Sequence, residues 1–170
     1  MTEAENIVLT GFMGTGKSTV GQLLADELRF EWIDTDALIE SRYGSIAEIF
    51  ATDGEEAFRD IESAVAAELA ASSGLVISSG GRMMLDPANA ALFRDRARVF
   101  CLTATAAEVL RRVAAQGGSP RPLLAGDHPA DRIAALLEER AFAYGQFEQI
   151  ATDGMSPEEV VHELLRRLAT

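Results

Sequence analysis

Short apolar runs that alternate with amphipathic stretches predict an α/β fold, three layers deep, with a parallel sheet covered by helices on both faces. A glycine-rich segment, "GFMGTGKS" (11–18), joins the first apolar run to the first amphipathic stretch, as strand-to-helix turns do in such sheets. The 170 residues are 48% hydrophobic, enough for a substantial core in one domain spanning 1–170.

The elements follow from local pattern. "ENIVLTG" (5–11) is a short apolar run ended by glycine, and in "KSTVGQLLADEL" (17–28) Val20, Leu23, Leu24 and Leu28 fall at helical spacing. "FEWID" (30–34) predicts a second strand. "TDALIESRY" (35–43) predicts a helix opened by a good capping residue. Helical pattern continues from "SIAEIFA" into "EEAFRDIESAVAAELAA" (55–71), with a break at Asp53-Gly54. "LVISS" (75–79) and "RVFCLTA" (98–104) predict strands, separated by a helix starting near Pro87. "TAAEVLRRVAA" (105–115) is amphipathic, and "QGGSPRPLLAGDHP" (116–129) is a Gly/Pro loop. "ADRIAALLEERAFAY" (130–144) predicts a helix and "QFEQIAT" the last strand. "SPEEVVHELLRRLA" (156–169) predicts a capped final helix with Pro157 in its first turn.

A net charge of −12 argues against a broad basic surface for nucleic acid, so an anionic ligand must meet a local cationic site. No run approaches the roughly 18 apolar residues of a membrane span, and the N-terminus lacks the pattern of a signal peptide. A cytoplasmic monomer is expected, with no membrane partner. Cys101 cannot form an internal disulfide and reads as a buried strand residue; His128 and His162 lack metal-spaced partners and read as solvated. Fourteen of the fifteen basic residues are arginine, and the one lysine is Lys17.

Lys17 falls in G-x-x-x-x-G-K-[ST], between a predicted strand and a predicted helix, which is the context this phosphate-binding motif requires. Gly11, Gly14 and Gly16 permit a backbone path whose N–H groups converge on phosphate oxygens, and the following helix directs its positive dipole end there. Gly14, Thr15, Gly16, Lys17, Ser18 and Thr19 are the candidate ATP contacts, with Lys17 on the β- and γ-phosphates and Ser18 a ligand for Mg²⁺.

Asp34 and Asp36 in "DTD" follow the second strand. Read as an extended segment, they point the same way into the crevice, one for the Mg²⁺ shell and one for an acceptor hydroxyl; the alternative is a helix cap and a solvated acid. Arg59 has Glu62, Glu55 and Glu56 within helical reach, so a surface ion pair is open for it, as it is for Arg140 in "EERAFAY". Arg121, in the Gly/Pro loop, suits a lid that brings a cation over the transferring phosphoryl group.

Together, "GFMGTGKSTVG", "DTD", "IAEIFATDGEEAFRDIE", "SSGG" followed by "LDP", "RPLLAG", and "ER" followed by "Y" resemble the shikimate kinase family, of the nucleoside monophosphate kinase-like group. The resemblance covers nearly the whole chain. It implies a five-stranded parallel sheet in the order 2-3-1-4-5, a lid over 116–129, and transfer of the γ-phosphoryl group of ATP to the 3-hydroxyl of shikimate with Mg²⁺. It further implies phosphate and Mg²⁺ on Lys17 and Ser18, Asp34 near the metal, Asp36 on the acceptor hydroxyls, and Arg121 as the lid arginine. Lys17, Asp36 and Arg121 would be the catalytic set. Arg59 and Arg140 would clamp the acceptor carboxylate beside the backbone of Gly80 and Gly81. Arg112 would lie against the adenine, with "TDGMSP" on its other side.

Three features depart from the family pattern. Gly80-Gly81-Arg82 stands where three glycines are usual, followed by bulky Met83 and Met84. "YGSIAEIF" is one residue short, and "ERAFAYGQFEQIA" replaces a Pro-Leu-Tyr pattern. Arg82 either turns outward or pairs with an acid such as Asp86, or it adds a cation to the acceptor site; the methionines read as packing residues. These departures leave open a kinase for another hydroxy acid or polyol such as gluconate. A nucleotide-binding module without catalysis is the remaining alternative.

Overall fold

The computed structural model describes residues 5–117 and 125–170. Five parallel strands form one sheet in the order β2-β3-β1-β4-β5: β1 (Asn6–Thr10), β2 (Glu31–Asp34), β3 (Leu75–Ser78), β4 (Ala97–Thr103) and β5 (Glu148–Ala151). The order implied by the family resemblance is the one found.

Among the described residues, eight helices link or follow the strands: α1 (Lys17–Leu28), α2 (Thr35–Tyr43), α3 (Ile46–Thr52), α4 (Gly54–Ala70), α5 (Pro87–Phe93), α6 (Ala106–Gln116), α7 (Pro129–Gly145) and α8 (Pro157–Leu168). A 3₁₀ turn, Met83–Leu85, precedes α5. Most bounds fall within a residue or two of those read from pattern. The break expected at Asp53-Gly54 is real: Asp53 closes α3 and opens α4, and Gly54 has φ 88°. Ser156 and Glu159 form a reciprocal capping box at α8, with Pro157 in the first turn.

Alternation along the central strand divides the core into layers. Ile7 and Leu9 join Val76, Phe100 and Leu102 under α1 and α8. Val8 and Ile77 face the other way, against α2 to α5, together with Met83 and Met84. A third cluster of Phe12, Cys101, Val109, Ile133 and Tyr144 seats α6 and α7. Cys101 is fully buried there, and burial pushes its thiol up to about 11. No helix among the described residues is long and apolar enough to cross a membrane.

The carboxyl ends of β1, β2 and β3 sit side by side, with Leu9 in register with Ser78 and Ser78 with Asp34. The segments after these three strands therefore open onto one crevice, as parallel sheets dictate.

Candidate active site

That crevice is a cavity of about 460 Å³. The loop between β1 and α1 forms one wall. Gly11 has φ 135°, and any Cβ there would collide with the Leu102 carbonyl of β4. Gly16 has φ 96° at the start of α1, where no side chain caps the helix and no acid occupies the first turn. The first amides of α1 are thus presented to the cavity with their positive dipole end, which suits an anion.

Thr15 is buried, and its hydroxyl donates to the Phe12 carbonyl at 2.7 Å, so its side chain braces the loop and only its backbone remains for a ligand. Lys17 Nζ donates to the carbonyls of Gly11 and Phe12 at 2.8 and 2.9 Å. Ser18 Oγ donates to Asp34 Oδ2 at 2.8 Å. A hydroxyl and a carboxylate thereby share the corner beside the loop, a hard-oxygen pair of the kind Mg²⁺ uses alongside water and phosphate.

The extended reading of Asp34 and Asp36 is corrected. The helix starts at Thr35; Asp34 caps it, accepting from the Ala37 amide at 3.1 Å, and Asp36 lies in its first turn. Both carboxylates still line the cavity. Asp36 opens onto it, yet the surrounding walls strip away bulk water and raise its pKa above the ordinary carboxylate value. Nearby Asp34 adds to the rise, against the pull of Lys17.

The far wall comes from α4, the segment after β3, and α7. Gly80 is held by its amide, which donates to Thr35 Oγ1 at 2.8 Å, and Ser79 is tied to the Leu9 carbonyl. A Cβ on Gly80 would lie 2.6 Å from Asp36 Oδ1 and 3.3 Å from Glu62 Oε2, so any side chain here pushes the Asp36 carboxylate from its place. Gly81 carries no such constraint, since the nearest atoms to its Cβ position lie at 4.0 Å. Its carbonyl accepts from the Tyr144 hydroxyl at 2.6 Å. The altered segment after Arg140 therefore still supplies a floor under the glycines. Burial pushes the Tyr144 hydroxyl above its usual value, against the pull of the nearby Arg140 guanidinium.

Arg140 overturns the surface-pair reading. It is 8% exposed, stacks over the Phe12 ring at 5.3 Å and points its guanidinium toward Gly81. Among the described residues no carboxylate pairs with it. The acids adjacent to it in sequence lie on the exposed side of α7, while Arg140 faces inward. Arg59 keeps the pairs its spacing allowed, with Glu62 at 2.9 Å and Glu55 at 3.2 Å, and still lines the cavity with the Phe58 ring 5.0 Å away. Glu62 is 3% exposed; burial raises its pKa and the Arg59 hydrogen bond opposes the rise.

Arg82 does not pair with Asp86, whose carboxylate instead caps α5 by accepting from the Ala88 amide at 2.8 Å. Its Nη1 lies 4.0 Å from Glu55, at the cavity rim. Met83 and Met84 turn fully into the core, so their bulk never reaches the cavity. The short link before α3 is bridged by Glu40, which accepts from the Ile46 amide at 3.1 Å.

A second groove runs from Gly14, Gly16 and Thr19 past Arg112 to Thr152, Gly154, Met155 and Ser156. Arg112 donates to the Thr152 carbonyl at 2.8 Å, the Thr152 hydroxyl at 2.9 Å and Glu108 at 2.6 Å, which fixes its plane along the groove. Arg111 and Arg112 hold Glu108 down to about 2, so the clamp persists at any working pH. Arg121 lies outside the described residues, as does all of 118–124, half of the Gly/Pro segment expected to form a lid. His128 and His162 are exposed.

Sequence reading missed Glu62 as a wall, and Thr35, Ser78, Ser79 and Tyr144 as braces. For Glu62 the three-residue step from Arg59 was a usable signal. The others act through contacts more than forty residues away in the chain, as when Ser78 Oγ accepts from Trp32 Nε1 and donates to the Lys17 carbonyl.

A family model described as shikimate kinase matches residues 13–169. The chain is 44% identical over 165 residues to a shikimate kinase of Geobacter metallireducens, covering 96% of this chain and 91% of that one. The shikimate kinase from Acinetobacter baumannii, solved in complex with shikimate, superposes with a TM-score of 0.89 at 31% identity, covering 98% of this chain and 93% of that one. A gluconokinase from Sinorhizobium meliloti 1021 superposes with a TM-score of 0.68 at 20% identity, over 99% of this chain and 94% of that one, and shares the fold alone. With the loop, the paired acids and the inward arginines in one crevice, and with matches of this extent, the chain belongs to the shikimate kinase family.

Proposed function

We propose that this single-domain enzyme transfers the γ-phosphoryl group of ATP to the 3-hydroxyl of shikimate, giving shikimate 3-phosphate and ADP. The observation that carries the reading is Arg140, a buried guanidinium without an acid partner among the described residues, which shares a cavity with Arg59, Asp36 and the phosphate loop. A buried cation of this kind calls for an anion, and a guanidinium suits a carboxylate. Shikimate is a carboxylate that carries hydroxyls, so the two arginines can hold the acid while a hydroxyl meets Asp36.

Nucleotide phosphates fit the amides at the start of α1 and the charge of Lys17, and the base fits the groove along Arg112. Ser18 and Asp34 are the residues that would hold Mg²⁺, which when bound neutralises phosphate charge. In the transfer, the acceptor oxygen bonds to the γ-phosphorus as the bond to the β,γ-bridging oxygen breaks. Asp36 orients the hydroxyl and takes its proton; its raised pKa makes it a better base than an ordinary carboxylate. Lys17 counters the charge that passes to the leaving diphosphate.

One chain supplies every residue named, which supports a monomer. The acidic surface supports a cytoplasmic enzyme of small molecules with no nucleic-acid or membrane partner. ATP consumption measured with shikimate, gluconate and no acceptor tests the reading: turnover with shikimate supports it, and turnover with gluconate alone, or with neither, sinks it.

A further inference from the structure

Resting on that reading, we propose that Arg82 sets the affinity of the acceptor site through Glu55, as the second holder of a carboxylate that must leave Arg59 when the acceptor acid binds. Arg59 divides its guanidinium between two acids. Nη1 donates to Glu62 at 2.9 Å and Nη2 to Glu55 at 3.2 Å. Glu62 is 3% exposed and sits against the cavity wall, whereas Glu55 is 55% exposed at the first turn of α4 and can swing out into water. An incoming carboxylate that seeks Arg59 therefore displaces Glu55 and leaves Glu62 in place.

The displaced charge needs somewhere to go, because a carboxylate left beside a bound anion repels it. Arg82 provides the place. Its Nη1 lies 4.0 Å from Glu55 Oε1, the same oxygen that Arg59 holds, so one acid bridges two arginines from different segments. Arg82 is 52% exposed on the rim between the acceptor cavity and a neighbouring groove lined by Glu55, Glu56, Asp60 and Asp86. The backbone at 82 has φ −112° and ψ −9°, an ordinary conformation, so an arginine sits there without strain. Glu55 can thus turn from Arg59 to Arg82 by a change of side-chain rotamer while both cations stay compensated.

The exchange makes Arg82 a positioning residue with a signature that direct binding would not give. In Arg82→Ala, Glu55 has only Arg59 to hold, and the KM for shikimate rises about threefold to fivefold, the scale of an exposed ion pair. Glu55→Gln removes the competitor and lowers that KM. The double variant behaves as Glu55→Gln alone, Arg82→Lys restores most of the native value, and the KM for ATP serves as the internal control. An equal rise from Arg82→Ala in both backgrounds would place Arg82 on the acid itself and overturn the exchange. No rise in the native background would make the pair idle and overturn it as well. The native protein, the variants Arg82→Ala and Glu55→Gln and the double variant, titrated with shikimate by calorimetry, separate this inference from the kinase reading. Binding that follows the cycle without turnover removes only the kinase reading; native turnover without the cycle removes only the exchange; absence of both binding and turnover removes both.

Discussion

The two walls of the cavity are built on different principles. The phosphate side is nearly all backbone: ten successive residues from Gly11 through Val20 contain the left-handed glycines, the uncapped helix start and the lysine folded onto its own loop. The acceptor side sets charged side chains from α2, α4 and α7 around the backbone of Gly80 and Gly81, balanced as a network in which Glu62 and Glu55 share Arg59. Backbone amides hold an anion of fixed shape and tolerate little change; a network of charges can be retuned one residue at a time. All three departures from the family pattern fall on the acceptor side or on the elements behind it, and the fold absorbs each: the methionines into the core, the short link onto Glu40, and the altered segment after Arg140 through Tyr144.

Asp36, which stands between the walls, gives the largest expected effect. Asp36→Asn should lower kcat by about 10²- to 10⁴-fold, the range for loss of a general base. The native rate should decline as pH falls through the raised Asp36 pKa, since the base must be ionised, and that limb should vanish in the variant. Stability should move the other way. The folded chain binds the Asp36 proton more tightly than the unfolded chain, so ionisation weakens folding as pH rises from the ordinary value of 3.8 through the folded one. The variant should melt above the native protein at neutral pH, with the difference closing under acid. A variant both active and less stable at pH 7 would remove Asp36 from this role.

Next in size is a contrast between one cation from each wall. Lys17→Ala should lower kcat about 10²- to 10³-fold, as for a lost transition-state donor. Arg140→Ala should act on the KM for the acceptor, raising it at least about thirtyfold, as for truncating one side of a buried charge pair. Steady-state kinetics with each substrate varied would decide, and a rise in the KM for ATP from Arg140→Ala would break the division.

The smallest effects come from the two glycines. Gly80→Ala drives a methyl toward Asp36 and Glu62 and should lower kcat/KM for the acceptor about tenfold, in keeping with about 1–3 kcal/mol for overpacking. Gly81→Ala meets only open contacts and should stay within about twofold. Equal losses would show that backbone freedom, rather than space, selects both.

Local signals determined much of this protein without a structure. Hydrophobic period separated strands from helices, Asp53-Gly54 marked the break before α4, Ser156-Pro157 marked the start of α8, and the 11–18 motif located the phosphate loop. Each of these is a short-range property in which neighbours in sequence decide the outcome. The acceptor wall was legible only in its parts. Nothing near Arg140 distinguishes a surface pair from a buried cation, because the answer depends on which side of α7 meets Phe12 and the glycines. Nothing near Arg82 predicts Glu55 as its partner, because the two lie on separate elements brought together where α4 packs against the 3₁₀ turn that Arg82 opens. Tyr144 finds the Gly81 carbonyl for the same reason. Sequence alone therefore determined the elements, the phosphate loop and the family, while the tertiary structure decided which charges are buried, which are shared and which face the cavity. Periodicity and caps are carried by bonds between near neighbours, whereas burial and pairing arise only when distant segments exclude water together.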